Sequence, residues 1–163
     1  MSGCSIVTGP VPGLLHRIVE LHDAYYGPRW GFGPAFTRKN MAELSAFLGG
    51  FDRRHDGVWT AQVDGRIEGS VAIDGSRAIA GEAELRWFLV SDALRGHGVG
   101  SELLDEALEF CRDRSFAAVR LWTFAGLDHA RHLYTDAGFV LAQERTGTRW
   151  GTEVLEQRLE LRL

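Results

Sequence analysis

The sequence is poor in cysteine, in excess positive charge and in long apolar runs, and each shortage excludes a class of protein. Its two cysteines, Cys4 and Cys111, lie too far apart for a metal-binding pair. His129 and His132 are three residues apart but have no evident third ligand, so no metal site is expected. The formal net charge of -4 disfavours nucleic-acid binding. The chain has no run near the ~18 apolar residues of a membrane span and no secretory leader, which predicts a cytoplasmic protein without membrane contact.

What the sequence contains is enough apolar material for one α/β domain covering residues 1–163. Hydrophobic residues make up 45% of the 163 positions and charged residues 25%. Alternating and helical apolar patterns predict the order β-α-α-β-β-β-α-β-α-β-β. The predicted strands are 4–8, 58–63, 69–74, 83–90, 117–124, 139–145 and 152–163, and the predicted helices are 14–25, 40–48, 99–110 and 129–137. Cys111 falls on the apolar stripe of the third helix, which predicts a buried thiol.

An aromatic segment, YGPRWGFGPAF (26–36), separates the first two predicted helices. Its three glycines and two prolines predict a loop. The segment carries Tyr26, Trp30, Phe32 and Phe36. These rings either cover the core or form the wall of a ligand pocket, and the sequence leaves both open.

The segment LRGHGVG (94–100) places three glycines between an apolar strand and an amphipathic helix. Free amides at a helix start and glycine turns together favour a phosphate-binding loop. The dinucleotide pattern fails because Ser101 stands where its third glycine belongs, and no acidic residue ends the next strand. The nucleotide P-loop fails because no Gly-Lys-Ser/Thr follows. The remaining pattern is [Arg/Gln]-x-x-Gly-x-[Gly/Ala], from Arg95 to Gly100.

This pattern resembles the signature loop of the GNAT family of N-acetyltransferases, which cradles the pyrophosphate of acetyl-coenzyme A. ARHLYTDAGF (130–139) is similar to a later motif of that family. ELRWFLV (84–90) and WGTEVLEQRLEL (150–161) look closest to acetyltransferase domains fused to MarR-type DNA-binding domains. The resemblance implies a mixed, mostly antiparallel sheet of six to seven strands, flanked by about four helices and splayed at its centre to hold acetyl-CoA.

The implied reaction moves the acetyl group from acetyl-CoA to a primary amine by direct attack in a ternary complex. By resemblance, Glu84 is the candidate base and Tyr134 the acid that protonates the leaving thiolate. Glu82, Asp74 or a chain of water molecules are alternative routes for the amine proton. Strand alternation predicts that Glu84 shares one face with Arg86, Phe88 and Val90.

The resemblance also implies how the chain would hold the acetyl donor. Tyr134 faces its sulfur, and the strand-end amides of Phe88, Leu89 and Val90 contact the thioester and the pantetheine arm. The predicted pyrophosphate site consists of Arg95, Gly96, His97, Gly98, Val99, Gly100 and the Ser101 hydroxyl. The family often has an asparagine where this chain has Leu127, so the adjacent Asp128 either substitutes for it or caps the next helix.

The acceptor site is expected between the N-terminal helices and two loops, 76–82 and 146–151. Tyr26, Trp30, Phe32 and Trp150 are predicted to form an aromatic wall for a small primary amine. A protein lysine or N-terminus is the alternative acceptor, and a non-catalytic acyl-CoA sensor is the alternative function. The alternating C-terminal strand is expected at a sheet edge, where it would allow a homodimer to form.

Overall fold

The computed structural model describes residues 3–76 and 81–163. The described residues form seven strands and four α-helices in the predicted order, with a 3₁₀ turn at Asp92–Leu94 before the third helix. The strands are β1 (Cys4–Thr8), β2 (Gly57–Val63), β3 (Arg66–Asp74), β4 (Glu82–Val90), β5 (Ala118–Phe124), β6 (Val140–Gly147) and β7 (Val154–Arg162). The helices are α1 (Leu14–Trp30), α2 (Pro34–Gly49), α3 (Val99–Asp113) and α4 (Asp128–Ala137).

The strands form one sheet in the order β1-β2-β3-β4-β5-β7-β6, antiparallel except between β4 and β5. The β4–β5 pairing covers only residues 82–84 and 118–120. Beyond those three pairs the two strands separate, while β5 stays paired with β7 along its whole length. This sheet, splayed at its centre and flanked by four helices, confirms the predicted fold class.

A β-bulge in β4 shifts which side chains face each side of the sheet. Ala72 pairs with Arg86 and Ser70 with Leu89, so β4 carries one extra residue at this point. Trp87 at the bulge has a φ of 48°, which is rare for a residue other than glycine. The prediction that alternate residues share one face along the whole strand is therefore wrong. Leu85 packs in the core beneath α3, whereas Trp87 and Leu89 pack in the core beneath α1 and α2.

Helix α3 covers one face of the sheet with a continuous apolar stripe. Its buried residues include Leu103, Ala107 and Cys111, each fully shielded from solvent. Cys111 is buried as predicted, and burial raises the pKa of its thiol to about 12. The thiol therefore stays protonated and unreactive at neutral pH.

The aromatic segment 26–36 is mostly helical, which corrects the predicted loop. Helix α1 runs to Trp30 with Pro28 inside it, and α2 begins at Pro34, so only residues 31–33 connect them. Gly31 ends α1 with a φ of 70° and donates its N–H to the Gly27 carbonyl at 2.9 Å. Pro34 is tolerated in the first turn because its position needs no intrahelical N–H donor. Gly31 and Pro34 therefore mark the end of α1 and the start of α2, on either side of the short connection.

The C-terminal strand is not at an edge of the sheet, contrary to prediction. β7 lies between β5 and β6, so its backbone is paired on both sides. The edge strand beside it is β6, on which Val140 is 65% exposed and Leu141 44% exposed.

Candidate active site

Two clefts meet where β4 and β5 separate. We call the one lined by the glycine segment the donor cleft and the one beneath α1 and α2 the acceptor cleft. Both are lined by Tyr26, Phe88, Leu127 and Ala130, so these four residues mark the junction. The splay of the sheet thus joins a glycine-rich surface to an aromatic one.

The donor cleft presents the start of α3. Gly96 and Gly98 have φ values of 82° and 75°, and no other atom comes within 4 Å of where their Cβ atoms would be. Gly98 is the N-cap of α3, and no side chain caps this helix end. Backbone amides at this end are therefore free to bind an anion, with the helix dipole in their favour. Arg95 lies beside them, and its Nε is 3.0 Å from Asp92 Oδ1.

Most of the predicted donor residues lie together in this cleft. Its lining includes Phe88, Leu89, Val90, Arg95, Gly96, Gly98, Val99, Gly100 and Ser101. His97 and Asp128 are exposed and do not contribute to this lining. The N-cap of α4 is Leu127, and Asp128, its first residue, makes no side-chain capping bond. His129 and Leu133 of α4 line the cleft instead.

Tyr134 lies on the wall of the acceptor cleft and is buried. Its ring centroid is 5.7 Å from that of Phe88 and 5.7 Å from that of Phe139. Burial raises the pKa of its hydroxyl far above the ordinary value, and Tyr26 adds to this shift. The hydroxyl is therefore protonated at neutral pH, the state that a proton donor needs.

Glu84 also lines the acceptor cleft, in a chain of alternating charges. Its Oε2 is 3.7 Å from Arg86 Nε, Arg86 contacts Glu43, and Glu43 Oε2 is 2.7 Å from Lys39 Nζ. Burial opposes ionisation of Glu43, but hydrogen bonds and charges of Lys39 and Arg86 outweigh it and lower its pKa. Because Arg86 is shared between two carboxylates, it neutralises Glu84 only in part.

The two alternative carboxylates are placed differently. Asp74 is buried and accepts hydrogen bonds from the Ser76 backbone N–H at 3.0 Å and from its hydroxyl at 2.6 Å. The Oε2 atom of Glu82 lies 3.6 Å from Nη1 of Arg120. Among the described residues, the lining of the two clefts includes neither of them.

Three of the four predicted acceptor residues line the acceptor cleft. These are Tyr26, Phe32 and Trp150. Trp30 packs behind the wall, with its ring centroid 5.6 Å from that of Phe124 and the planes nearly perpendicular. The aromatic segment therefore fills part of the core and also forms a cleft wall. Of the predicted acceptor loop 76–82, residues 77–80 lie outside the described residues.

Sequence reasoning missed several polar residues of the acceptor cleft, among them His22 and Asn40. His22 is buried, and its Nδ1 lies 2.8 Å from the Ile18 carbonyl, to which it donates a hydrogen bond. Burial lowers its pKa to about 4, so the ring is neutral at pH 7. Asn40 Oδ1 accepts a hydrogen bond from Trp87 Nε1 at 3.4 Å. The signal for His22 was its position four residues after Ile18, on the apolar stripe of α1.

Two absences hold for the described ranges, 3–76 and 81–163. No helix there is long and apolar enough to cross a membrane. No group of three or more histidine, cysteine, aspartate or glutamate residues in those ranges is arranged to hold a metal ion.

Comparisons with known proteins agree with this geometry. Residues 15–139 match the family model described as the acetyltransferase (GNAT) family. An uncharacterized N-acetyltransferase of Archaeoglobus fulgidus is 32% identical over 104 residues, which cover 61% of this chain and 70% of that protein. An acetyltransferase of the GNAT family from Staphylococcus aureus superposes with a TM-score of 0.77 at 14% identity, over 98% of this chain and 99% of the other. The Salmonella typhimurium protein yncA, solved with its cofactor acetyl-CoA, superposes with a TM-score of 0.75 at 16% identity, over 99% of this chain and 95% of the other. The chain therefore belongs to the GNAT family of acetyltransferases.

Proposed function

We propose that this acetyltransferase moves the acetyl group of acetyl-CoA to a primary amine of a small molecule, by direct attack in a ternary complex. The observation that carries the proposal is the junction of the two clefts at the β4–β5 splay. A donor bound along the glycine segment and an acceptor bound beneath α1 and α2 would meet there. Direct transfer requires this proximity of the reacting groups.

The residues of the donor cleft fit coenzyme A. The open space above Gly96 and Gly98 lets a pyrophosphate approach the backbone, where it would meet the free amides at the start of α3. Arg95 and the Ser101 hydroxyl line the same cleft and add charge and a donor. Apolar side chains of Phe88, Leu94 and Leu133 line the remainder and suit a pantetheine arm. When bound, acetyl-CoA would supply the activated thioester.

The separation of β4 from β5 supports a role for backbone groups in binding the thioester. Beyond Glu84, no described residue of β4 pairs with β5, so backbone groups of β4 that face the gap lack a strand partner. Amides of Phe88, Leu89 and Val90 in this segment would donate to the carbonyl oxygen as it becomes an oxyanion.

Two side chains would move the protons of the reaction. Glu84 would take a proton from the amine, directly or through water, so that the nitrogen lone pair can attack the thioester carbon. The C–N bond then forms and the C–S bond breaks. Tyr134 would give its proton to the leaving thiolate. The position of Glu84 and Tyr134 on the wall of the same cleft and the partly compensated charge of Glu84 support this division of roles.

The shape of the acceptor cleft favours a small molecule over a protein lysine. Helices α1 and α2 and the connection between them form its walls through His22, Phe32, Phe36 and Asn40, and its internal volume is about 160 Å³. Such a space suits a compact amine. Four expectations stay predictions: a homodimer, a cytoplasmic location, the single-domain organisation and the likeness to MarR-fused domains.

Two measurements test the proposed function. Isothermal calorimetry with coenzyme A should show binding, and acetyl-CoA with a panel of small amines should release free thiol. Matched amines lacking a free N–H provide the control. Absence of CoA binding at millimolar ligand would refute the donor site, whereas binding without transfer to any amine would favour a sensor.

A further inference from the structure

The acceptor cleft continues outward into a shallow basin. Lys39 and Arg149 line both spaces, so they stand at the boundary. Arg145, Glu156 and residues 146–148 complete the basin. We call this space the outer basin. Anything that occupies the acceptor cleft and extends away from the donor cleft past this boundary reaches these residues.

The outer basin is positively charged in a chain whose net charge is negative. Three cationic side chains, Lys39, Arg145 and Arg149, line it together with a single carboxylate, Glu156. Glu156 is 2% exposed and accepts hydrogen bonds from Nε of Arg145 and Nε of Arg149, each at 3.3 Å. Glu43 Oε2 lies 2.7 Å from Lys39 Nζ and compensates part of its charge, but Glu43 also contacts Arg86. The cations therefore exceed their counterions, which favours an anionic ligand.

Arg149 is held in an orientation that suits recognition of an anion. Its guanidinium carbon is 3.9 Å from the centroid of the Trp122 ring, and its backbone N–H donates to Glu156 at 3.0 Å. Burial opposes ionisation of Glu156, but these hydrogen bonds outweigh it and lower its pKa, so the pair stays charged. Within the described ranges, the Nη atoms of Arg149 make no hydrogen bond. They remain free to donate two parallel hydrogen bonds to an oxyacid group.

The inner end of the acceptor cleft has the opposite character. His22 stacks against Tyr26, with ring centroids 6.0 Å apart, at the junction with the donor cleft. Its Nδ1 is bonded to the Ile18 carbonyl, so its Nε2 is a lone-pair acceptor that forms no hydrogen bond with the described residues. Tyr26 contributes an aromatic face here, and Glu84 lies on the wall of the same cleft. Carboxylates, lone pairs and aromatic rings attract an ammonium group.

We propose that the acceptor is an amine that also carries an anionic oxyacid group, with an amino acid as the simplest member of the class. Its amine would enter the inner end beside Glu84 and His22, and its carboxylate or phosphonate would bind Arg149 and Lys39. This inference rests on the proposed acetyl transfer, and it assigns a substrate class to the same site.

The test compares amines that differ only in the anionic group. Alanine, valine, leucine and phenylalanine are each assayed beside the corresponding decarboxylated amine and aminophosphonate. We expect kcat/KM to be about tenfold or more higher for compounds with the anionic group, as charge-assisted hydrogen bonds require. The carboxylate and phosphonate arms identify which oxyacid is preferred. Equal or better transfer to the decarboxylated amines would overturn the inference.

Substitutions of Lys39 and Arg149 test whether these side chains cause the preference for compounds with the anionic group. In Lys39→Met and Arg149→Gln the preference for the anionic compound over its matched amine should shrink at least about fivefold, which corresponds to loss of a charged contact. Arg38→Met is the matched control, because Arg38 is an exposed cation next to Lys39 on α2 that lines neither space. Thermal melting checks that each variant folds, and Lys39→Met leaves the Arg149–Glu156 contact intact. An unchanged preference in folded Lys39→Met and Arg149→Gln would overturn the assignment of these residues.

A binding measurement separates this inference from the proposed function. Calorimetric titration of leucine and of isopentylamine into the CoA-loaded protein reports on the acceptor cleft without catalysis. Failure of every amine to accept the acetyl group would count against the transferase. Tighter binding of leucine that is lost in Lys39→Met would still support the inference, and equal binding of the two ligands would refute it.

Discussion

The hydroxyl of Ser70 donates a hydrogen bond to the backbone carbonyl of Trp87 at 2.7 Å, directly across the bulge in β4. Both residues are buried, and Trp87 has its unusual positive φ at this point. The bulge interrupts the backbone hydrogen bonds between β3 and β4, so the Trp87 carbonyl has no partner in the strand pairing. The Ser70 hydroxyl provides that partner. Ser70 is thereby a positioning residue for the segment that borders both clefts.

Replacing Ser70 tests the importance of this contact. Ser70→Ala should lower the free energy of unfolding by about 1–2 kcal/mol, since a buried carbonyl loses its partner. We also expect kcat to fall while the dissociation constant for coenzyme A changes little. Chemical denaturation and steady-state kinetics measure the two effects. Ser45→Ala, at an exposed position of α2, is the control. A variant as stable and as active as the wild type would show that the bulge does not depend on this bond.

Tyr134→Phe removes the proposed proton donor but keeps the ring contacts with Phe88 and Phe139. We expect kcat to fall about 100-fold with a modest change in KM, because a general acid acts on the chemical step. A colorimetric assay of the thiol released from acetyl-CoA measures both kinetic constants. Retention of full kcat in Tyr134→Phe would remove the hydroxyl from the mechanism.

Glu84→Gln tests the candidate base. Turnover at pH 7 should fall about 100-fold or more, and the loss should shrink as pH rises, because more of the amine is then deprotonated in solution. Initial rates between pH 6 and 10 give this profile. Glu82→Gln, on the same strand, discriminates between the two carboxylates. A larger loss in the Glu82 variant than in the Glu84 variant would reverse the assignment.

Gly98→Ala tests the glycine segment against a matched glycine elsewhere. Gly98 and Gly65 have φ values of 75° and 79°, and neither has another atom within 4 Å of an added Cβ. Both alanine variants should lose about 1 kcal/mol of stability from backbone strain. Only Gly98→Ala should also weaken binding of coenzyme A, as calorimetry can show. Equal affinities in the two variants would place the pyrophosphate elsewhere.

Protonation of His22 should make the fold sensitive to mild acid. Its pKa is about 4 in the folded state and near 6.5 when exposed, so the unfolded chain binds the proton first. The stabilisation is complete above pH 6.5 and is lost as pH falls towards 4, at up to ~1.4 kcal/mol per pH unit. Denaturation of His22→Gln and wild type across this range isolates the effect. Parallel pH dependence in the two proteins would contradict it.

The periodic elements were predictable from sequence because their apolar residues repeat at the spacing that burial requires. α3 and its buried stripe follow directly from the pattern of Leu103, Leu104 and Leu108. The glycine segment was predictable because the spacing of its glycines before an amphipathic helix by itself indicates a phosphate-binding loop. The structure places the segment at the start of this helix. The order of all the strands and helices follows from the same local signals.

The bulge and the buried charges were not predictable, because they depend on partners distant in sequence. Alternation along β7 places Glu156 on the face opposite Leu155, yet Glu156 is buried and Leu155 is 38% exposed. Two arginines in and after β6 stabilise this arrangement. His22 lies on the apolar stripe of α1, but only the packing of α1 against distant strands places it in a cleft.

The short β4–β5 pairing has a mechanical consequence for the whole sheet. Three residue pairs connect a four-stranded antiparallel half to a three-stranded antiparallel half. A molecule inserted between the separated ends of β4 and β5 would take the place of the missing hydrogen bonds between these strands and would contact both halves. Donor binding would then add a second connection to the core that the two halves share beneath α3, so the substrate would also serve as a structural element of the sheet that positions it.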